Sequence, residues 1–291
     1  MRIFSLAAIA SLCIASVGYS DHFNIAPEKS QLMWLGKKKL TPSKHNGEIS
    51  ISHGTFSIEK NKIVGGEIAI DMSSIVNLDV ENPKYNAKLV GHLKSDDFFS
   101  TEKYPFAYFQ ITKGGDKEIT GNLTIRDKTL SKKIKLNIKP SGKSYMVSGT
   151  MTFDRAKFNV KYNSETFFSA KKLGDKIIDN EIKLDFKIAT SPKGTRVVRI
   201  PNILKGGKKT WLPVEIKANT GEMVQLVLVN TLDAPHGFEI PGFLKPQVVE
   251  ANKTMKVKFK AAKAGTFDFK CHLHPAHVGG KIIVSDHHAK I

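Results

Sequence analysis

An all-β fold in two domains is what this chain predicts, on three observations. Helical periodicity is almost absent along its 291 residues. Strand-length pieces recur instead, alternating or running apolar, with turn chemistry between them. The pattern lapses once, at 190–195, and resumes in a smaller second set. Many short strands at this spacing predict barrels or sandwiches, and the length suits two separate cores.

The first twenty residues carry Arg2, an apolar run from Ile3 to Val17, and small residues Gly18 and Ser20. This predicts a secretory signal over residues 1–20 and export to a periplasm. The run is short for a membrane span, and nothing later is apolar enough to be one. Strands are then expected over 49–58, 63–72, 104–112, 118–126, 132–139, 144–153 and 177–188. Gly65-Gly66, Gly114-Gly115-Asp116, Ser141-Gly142 and Gly174-Asp175 supply turns between them. Segment 78–99 differs. Leu78, Leu89 and Leu93 among polar residues suit one or two short inserted helices. The first domain thus spans 21–190 and a linker 191–195. The second domain, 196–291, has strands expected at 196–200, 212–218, 222–229, 254–260, 265–271 and 280–285.

The formal charge is +18, with lysines scattered along strand-like pieces such as Lys132-Lys133-Ile134-Lys135-Leu136-Asn137-Ile138-Lys139. Such alternation is the solvated face of an amphipathic sheet. It also suits an anionic partner: an acidic redox protein, or peripheral contact with an anionic membrane surface. No recognition helix or aromatic-basic platform points to nucleic acid.

Only Cys13 and Cys271 exist, and the first falls in the signal segment. A single remaining thiol forms no internal disulfide, so it is buried, reactive or metal-bound. Its neighbours favour the last. In Phe269-Lys270-Cys271-His272-Leu273-His274-Pro275-Ala276-His277, a thiol and two imidazoles stand at Cys-x2-His-x2-His spacing between apolar runs. His236, in Ala234-Pro235-His236-Gly237-Phe238, offers a nitrogen from an earlier loop. Soft thiolate with borderline imidazole suits copper or zinc. His236, Cys271, His274 and His277 are the candidate metal ligands. His272 is expected to face solvent, and His287 and His288 to lie in a polar tail. Phe243 and Leu244 suit either an apolar docking patch or core.

Residues about 21–190 resemble the YceI family of exported, lipocalin-like proteins that hold isoprenoid lipids. The resemblance rests on Trp34-Leu35-Gly36-Lys37-Lys38, Lys44-His45-Asn46-Gly47, Gly65–Ile75, Gly91-His92-Leu93-Lys94-Ser95-Asp96-Asp97-Phe98-Phe99, Lys103-Tyr104-Pro105 and Gly121–Arg126. It implies an antiparallel barrel of about eight strands around an apolar tunnel, with a bound polyisoprenoid or quinone. Trp34, Phe98, Phe99, Phe106 and Phe109 are candidate liners, or simply core. His45 and His92 lack a nucleophile or carboxylate at motif spacing and are expected to be structural. Asp96 and Asp97 look like turn or cap residues.

Residues about 196–286 resemble the cupredoxins, Greek-key β-sandwiches. The loop is nearest to that of amicyanin, with Cys271, His274 and Pro275 in matching places and His277 where methionine stands. Pro235-His236 and Gly265–Cys271 match the flanking elements. The resemblance implies one mononuclear copper and electron transfer to a periplasmic redox partner. An imidazole in place of a thioether is a stronger donor, as in nitrosocyanin, a red-copper protein. Alternatives are an enzyme acting on nitric oxide or superoxide, and copper delivery.

Overall fold

The computed structural model of the chain describes residues 21–192 and 194–286. The expected signal segment, Cys13 and the His287-His288 tail lie outside the described residues. The strands of the first sheet are β1 (Asp21–Asn24), β2 (Gln31–Lys37), β3 (Lys44–Glu59), β4 (Lys62–Asn77), β5 (Phe106–Lys113), β6 (Glu118–Ile125), β7 (Lys128–Ser141), β8 (Ser144–Asp154) and β9 (Glu181–Ala189). All pairings are antiparallel, and β3 bonds to both β2 and β4. Strands β2 to β9 therefore close an eight-stranded barrel. Strand β1 lies along the far half of β3, Asp21 opposite Ile58. Among the described residues, no helix is long and apolar enough to cross a membrane.

Alternation builds the wall. In β6, Ile119, Leu123 and Ile125 are buried and Glu118 is exposed, so one pleat face fills the barrel. Helix α1 (Pro83–Lys94) is the expected insertion. Asn82 accepts from the Lys84 and Tyr85 amides, and Pro83 occupies the first turn, where its missing N–H is no loss. Leu89 and Leu93 pack onto the barrel core. Gly47 in β3 is required by close approach: a Cβ there would come within 2.7 Å of the Trp34 ring. The indole packs against Gly47 and donates to the Val76 carbonyl at 3.1 Å.

The second domain stacks two sheets. In one, β10 (Thr195–Lys205) pairs in parallel with β13 (Met223–Asn230) and antiparallel with β11 (Lys208–Trp211), while β16 (Thr254–Lys260) flanks β13. In the other, β12 (Glu215–Asn219), β18 (Gly280–Ser285) and β17 (Gly265–Phe269) run side by side. Strands β14 (His236–Ile240) and β15 (Leu244–Val249) form a separate hairpin. Trp211, Phe238 and Phe269 are fully buried between these layers. Phe243 packs on Phe259 and Phe267, so it is core rather than docking surface.

The linker is short and fastened, and the two domains share a buried seam. Ser191 donates its amide to the Asn24 carbonyl, and Asn24 donates to the Thr195 carbonyl and to Glu222. Glu222 also pairs with Arg196 at 3.1 Å. The buried Asp71 carboxylate on the outer wall of β4 meets Arg199 at 3.2 Å. Ser52 donates to the Arg199 carbonyl. An apolar contact joins Phe106 to Ile203 and Leu212.

That contact corrects one expectation. Phe106 does not line the barrel. Three residues from Phe109 on one strand, it must face the opposite way. Phe109 points inward, and Phe106 is buried by the second domain instead.

Candidate metal centre and barrel cavity

Three elements converge on the candidate ligands. Strand β14 begins at His236, whose imidazole is completely buried. Strand β17 runs into the loop 270–279, which carries the other three. The Glu239 and Lys270 backbones bond reciprocally at 3.1 and 3.2 Å, tying β14 to the end of β17 and bringing the start of β14 beside the loop that carries Cys271. At the loop's other end Val278 donates to the Lys209 carbonyl and accepts from the Thr210 hydroxyl, anchoring it to β11.

His236, His274 and His277 come together, each offering a ring nitrogen, with these atoms all within 4.8 Å of one another. Ring centroids are 4.5 to 5.1 Å apart. His236 Nδ1 lies 2.8 Å from the Ala234 carbonyl, which can only accept. The proton therefore sits on Nδ1, and Nε2 keeps its lone pair. That Nε2 is buried without a partner, as is His277 Nδ1. Cys271 is buried and free, beside the triad rather than within it: its sulfur is 3.5 Å from His274 Nδ1 and accepts the Gly237 amide at 3.2 Å.

Burial disfavours protonation of two of these rings. Burial, then the neighbouring His274 and His236, holds His277 down to about 4. Burial is also the largest influence lowering His236, partly opposed by its bond to Ala234. Three imidazoles and a thiol, with buried ring nitrogens left unpartnered on His236 and His277, fit a borderline or soft cation.

Two residues here carry roles their sequence context did not suggest. Gly237 faces the His272 ring, and a Cβ would meet His272 Nδ1 at 2.6 Å. His272 is thus packed inward, its Nδ1 buried and unpartnered, contrary to the expected solvent-facing position. Trp211 donates its indole N–H to the Gly237 carbonyl at 2.9 Å and packs edge-on against Phe238. The only local signal was a tryptophan in an otherwise polar hairpin.

In the barrel, a cavity of about 360 Å³ lies beneath α1. Trp34, Phe98 and Phe99 line it with Ile75, Leu89 and Ile182. Phe109 lines a separate void of about 40 Å³ deeper in the core. His45 and His92 also border the larger cavity, and each meets a carboxylate that motif spacing did not supply: Asp79 at 2.8 Å and Asp97 at 3.2 Å. Asp96 accepts the Ser100 hydroxyl in the turn after α1. Arg155, unremarked in the sequence, is fully buried at the cavity wall.

A family profile described as a YceI-like domain matches residues 23–190, more than half the chain. The chain belongs to the YceI-like family. A second profile, described as a cupredoxin-like domain, matches 204–284. No curated protein sequence matches the chain. Among solved structures, the YceI-like domain is similar to BcnA from Burkholderia cenocepacia, with 19% identity over 57% of this chain and 99% of that one and a TM-score of 0.41. It is also similar to a polyisoprenoid binding domain from Saccharophagus degradans implicated in plant cell wall breakdown, at 14% identity, 60% and 99% coverage and a TM-score of 0.43. The cupredoxin-like domain is similar to auracyanin A, a "blue" copper protein from Chloroflexus aurantiacus. The values there are 18% identity, 31% and 99% coverage and a TM-score of 0.27.

Proposed function

We propose that this is an exported, periplasmic electron-transfer protein that holds one copper in its cupredoxin-like domain and an isoprenoid lipid in its barrel. One observation carries the copper reading: the buried, unpartnered lone pairs of His236 Nε2 and His277 Nδ1 beside the Cys271 thiol. Left empty, those groups would each forfeit a hydrogen bond on burial. His236, His274, His277 and Cys271 would hold the metal. Copper there supplies one-electron redox chemistry, and a rigid β framework keeps reorganisation small. The chain's own part is to disfavour protons on His236 and His277 by burying them and to donate the Gly237 amide to the sulfur.

The transfer reading rests on what surrounds the ligands. Leu273 and Val278 are exposed on either side of His274, with Pro275 and Ala276 between them also exposed. An apolar rim around a ligand imidazole suits brief docking of a redox partner, and the basic surface suits an acidic one. For the barrel, the support is the family together with an apolar cavity under α1.

The test is the full chain purified from a periplasm and examined by native mass spectrometry and visible absorption. One copper per chain with an intense visible band is expected, and Cys271→Ser should abolish the band while the β-sheet signal stays unchanged. An unchanged spectrum in that variant would remove the copper assignment. Turnover of nitric oxide or superoxide by the loaded protein would favour the enzyme reading over the carrier, and ready loss of copper to a chelator would favour delivery.

A further inference from the structure

Antiparallel pairing gathers three connections at one end of the barrel. They are the β2–β3 hairpin 38–43, the run from the end of β4 into α1, and the loop 155–180 between β8 and β9. Hydrogen bonds hold them side by side. The Lys39 amide donates to the Ile177 carbonyl and its ammonium pairs with Glu165. The Leu78 amide donates to the Asn46 carbonyl, and Asp79 bonds His45. Each connection leaves large apolar side chains in water: Leu40 is 64% exposed, Leu78 57%, Tyr85 64% and Phe168 49%, with Phe167 next to it. An apolar side chain exposed singly needs no explanation, whereas several on adjoining segments mark a contact surface.

These side chains stand among cations. Segments 37–45, 78–88 and 161–176 hold ten lysines against four carboxylates, so the surface is complementary to an anionic partner. Two of the four, Glu165 and Asp79, are already paired with Lys39 and His45. Lys44, Lys88, Lys161, Lys171, Lys172 and Lys176 are exposed. A protein partner would suit one continuous apolar patch, but here the apolar groups sit on separate turns with lysines between them. Leucine and aromatic rings bordered by ammonium groups match the boundary between water and an anionic bilayer. The cupredoxin-like domain is turned the same way. Strand β10 advances from Thr195, bonded to Asn24, past Arg199, bonded to Ser52, to a hairpin whose Gly206 amide donates to Glu102. Leu204, Lys205 and Lys208 of that hairpin are exposed.

We propose that this end of the molecule seats on an anionic phospholipid bilayer. Leu40, Leu78, Tyr85, Phe167 and Phe168 enter the interface, and the lysines rest on its phosphates. The inference goes beyond the proposed function and does not depend on what the cavity or the metal centre holds.

Flotation of the full chain with sealed vesicles tests this, using phosphatidylglycerol mixed with phosphatidylethanolamine against phosphatidylcholine alone. The anionic vesicles should bind it about tenfold or more tightly, and raised salt should narrow the gap. Leu40→Ser with Phe168→Ser alters only exposed positions and should weaken binding to the anionic vesicles about tenfold. Lys171→Gln with Lys172→Gln should weaken it by a similar factor. Lys135→Gln with Lys139→Gln, the same loss of charge on the far half of β7, should leave it within about twofold. Equal loss from both lysine pairs would reduce the effect to net charge and overturn the docking face. Absence of binding to either vesicle overturns it as well. Poly-glutamate bound instead, and lost in the Lys171 and Lys172 variant, would assign the face to an acidic protein.

Discussion

His277 is where this site departs from the methionine of its nearest loop resemblance, and the structure turns it inward, its ring stacked on His236 and His274. Imidazole donates more strongly than thioether and favours the higher oxidation state of copper. His277→Met should therefore raise the reduction potential of the loaded protein and move its absorption towards that of blue copper. Voltammetry and the visible spectrum check this; values identical to the parent would show that His277 is not a ligand. The grouping of His236, His274 and His277 was legible because cysteine and histidine at x2 spacing are rare and chemically pointed. The inward turn of His272 was not, because it depends on the missing side chain of Gly237, thirty-five residues earlier.

Strands with regular alternation were legible as elements, and those defined by their partners were not. The pieces at 118–126 and 144–153 declare one apolar face, and they form β6 and β8 within a residue or so. Strands β1, β2, β11, β14 and β15 went unforeseen. They are mostly short, and β14 acquires its form from β15 and the Glu239–Lys270 bridge. Its part in the site lies in one residue: the Gly237 carbonyl accepts from Trp211, its amide donates to Cys271, and its open face admits His272. Gly237→Ala must displace either the His272 ring or the strand itself. We expect roughly tenfold weaker metal affinity, as for other changes one shell out from a ligand. Competition with a chromophoric chelator measures it, and parental affinity would show that the loop absorbs a methyl group freely.

Across the whole molecule, the two domains and the lapse between them could be read in the chain, but the seam could not. Phe106, taken for a cavity liner, is a seam residue, and Asp71 and Arg199 lie 128 positions apart. Removing Asp71 leaves Arg199 and the two Ser73 donors without their acceptor. Asp71→Ala should cost roughly 3 kcal/mol, visible in denaturant unfolding of the full chain. A loss below a few tenths would mean that water enters the seam freely.

His53, at the same seam beside Phe106, adds an acid response. Burial, then the field of Arg196, lowers it to about 4 from an ordinary 6.5. As pH falls below about 6.5 the unfolded chain takes up this proton first, so stability declines until the folded ring also protonates near 4. His53→Gln should flatten the thermal-unfolding midpoint over that interval, and an unchanged slope would place the acid sensitivity elsewhere.

The seam also bears on how the two halves came to share a chain. Leu212 touches the barrel while its neighbour Trp211 sits in the cupredoxin-like domain's core. Cut at 191–195, the halves would bare Phe106, Ile203 and Leu212 and strand an ion pair, behaving as partners of a heterodimer. A tether this short replaces a search at cellular dilution with a local concentration of order millimolar. The linker then acts as a permanent chaperone of an interface that two free proteins would have to make large enough to find.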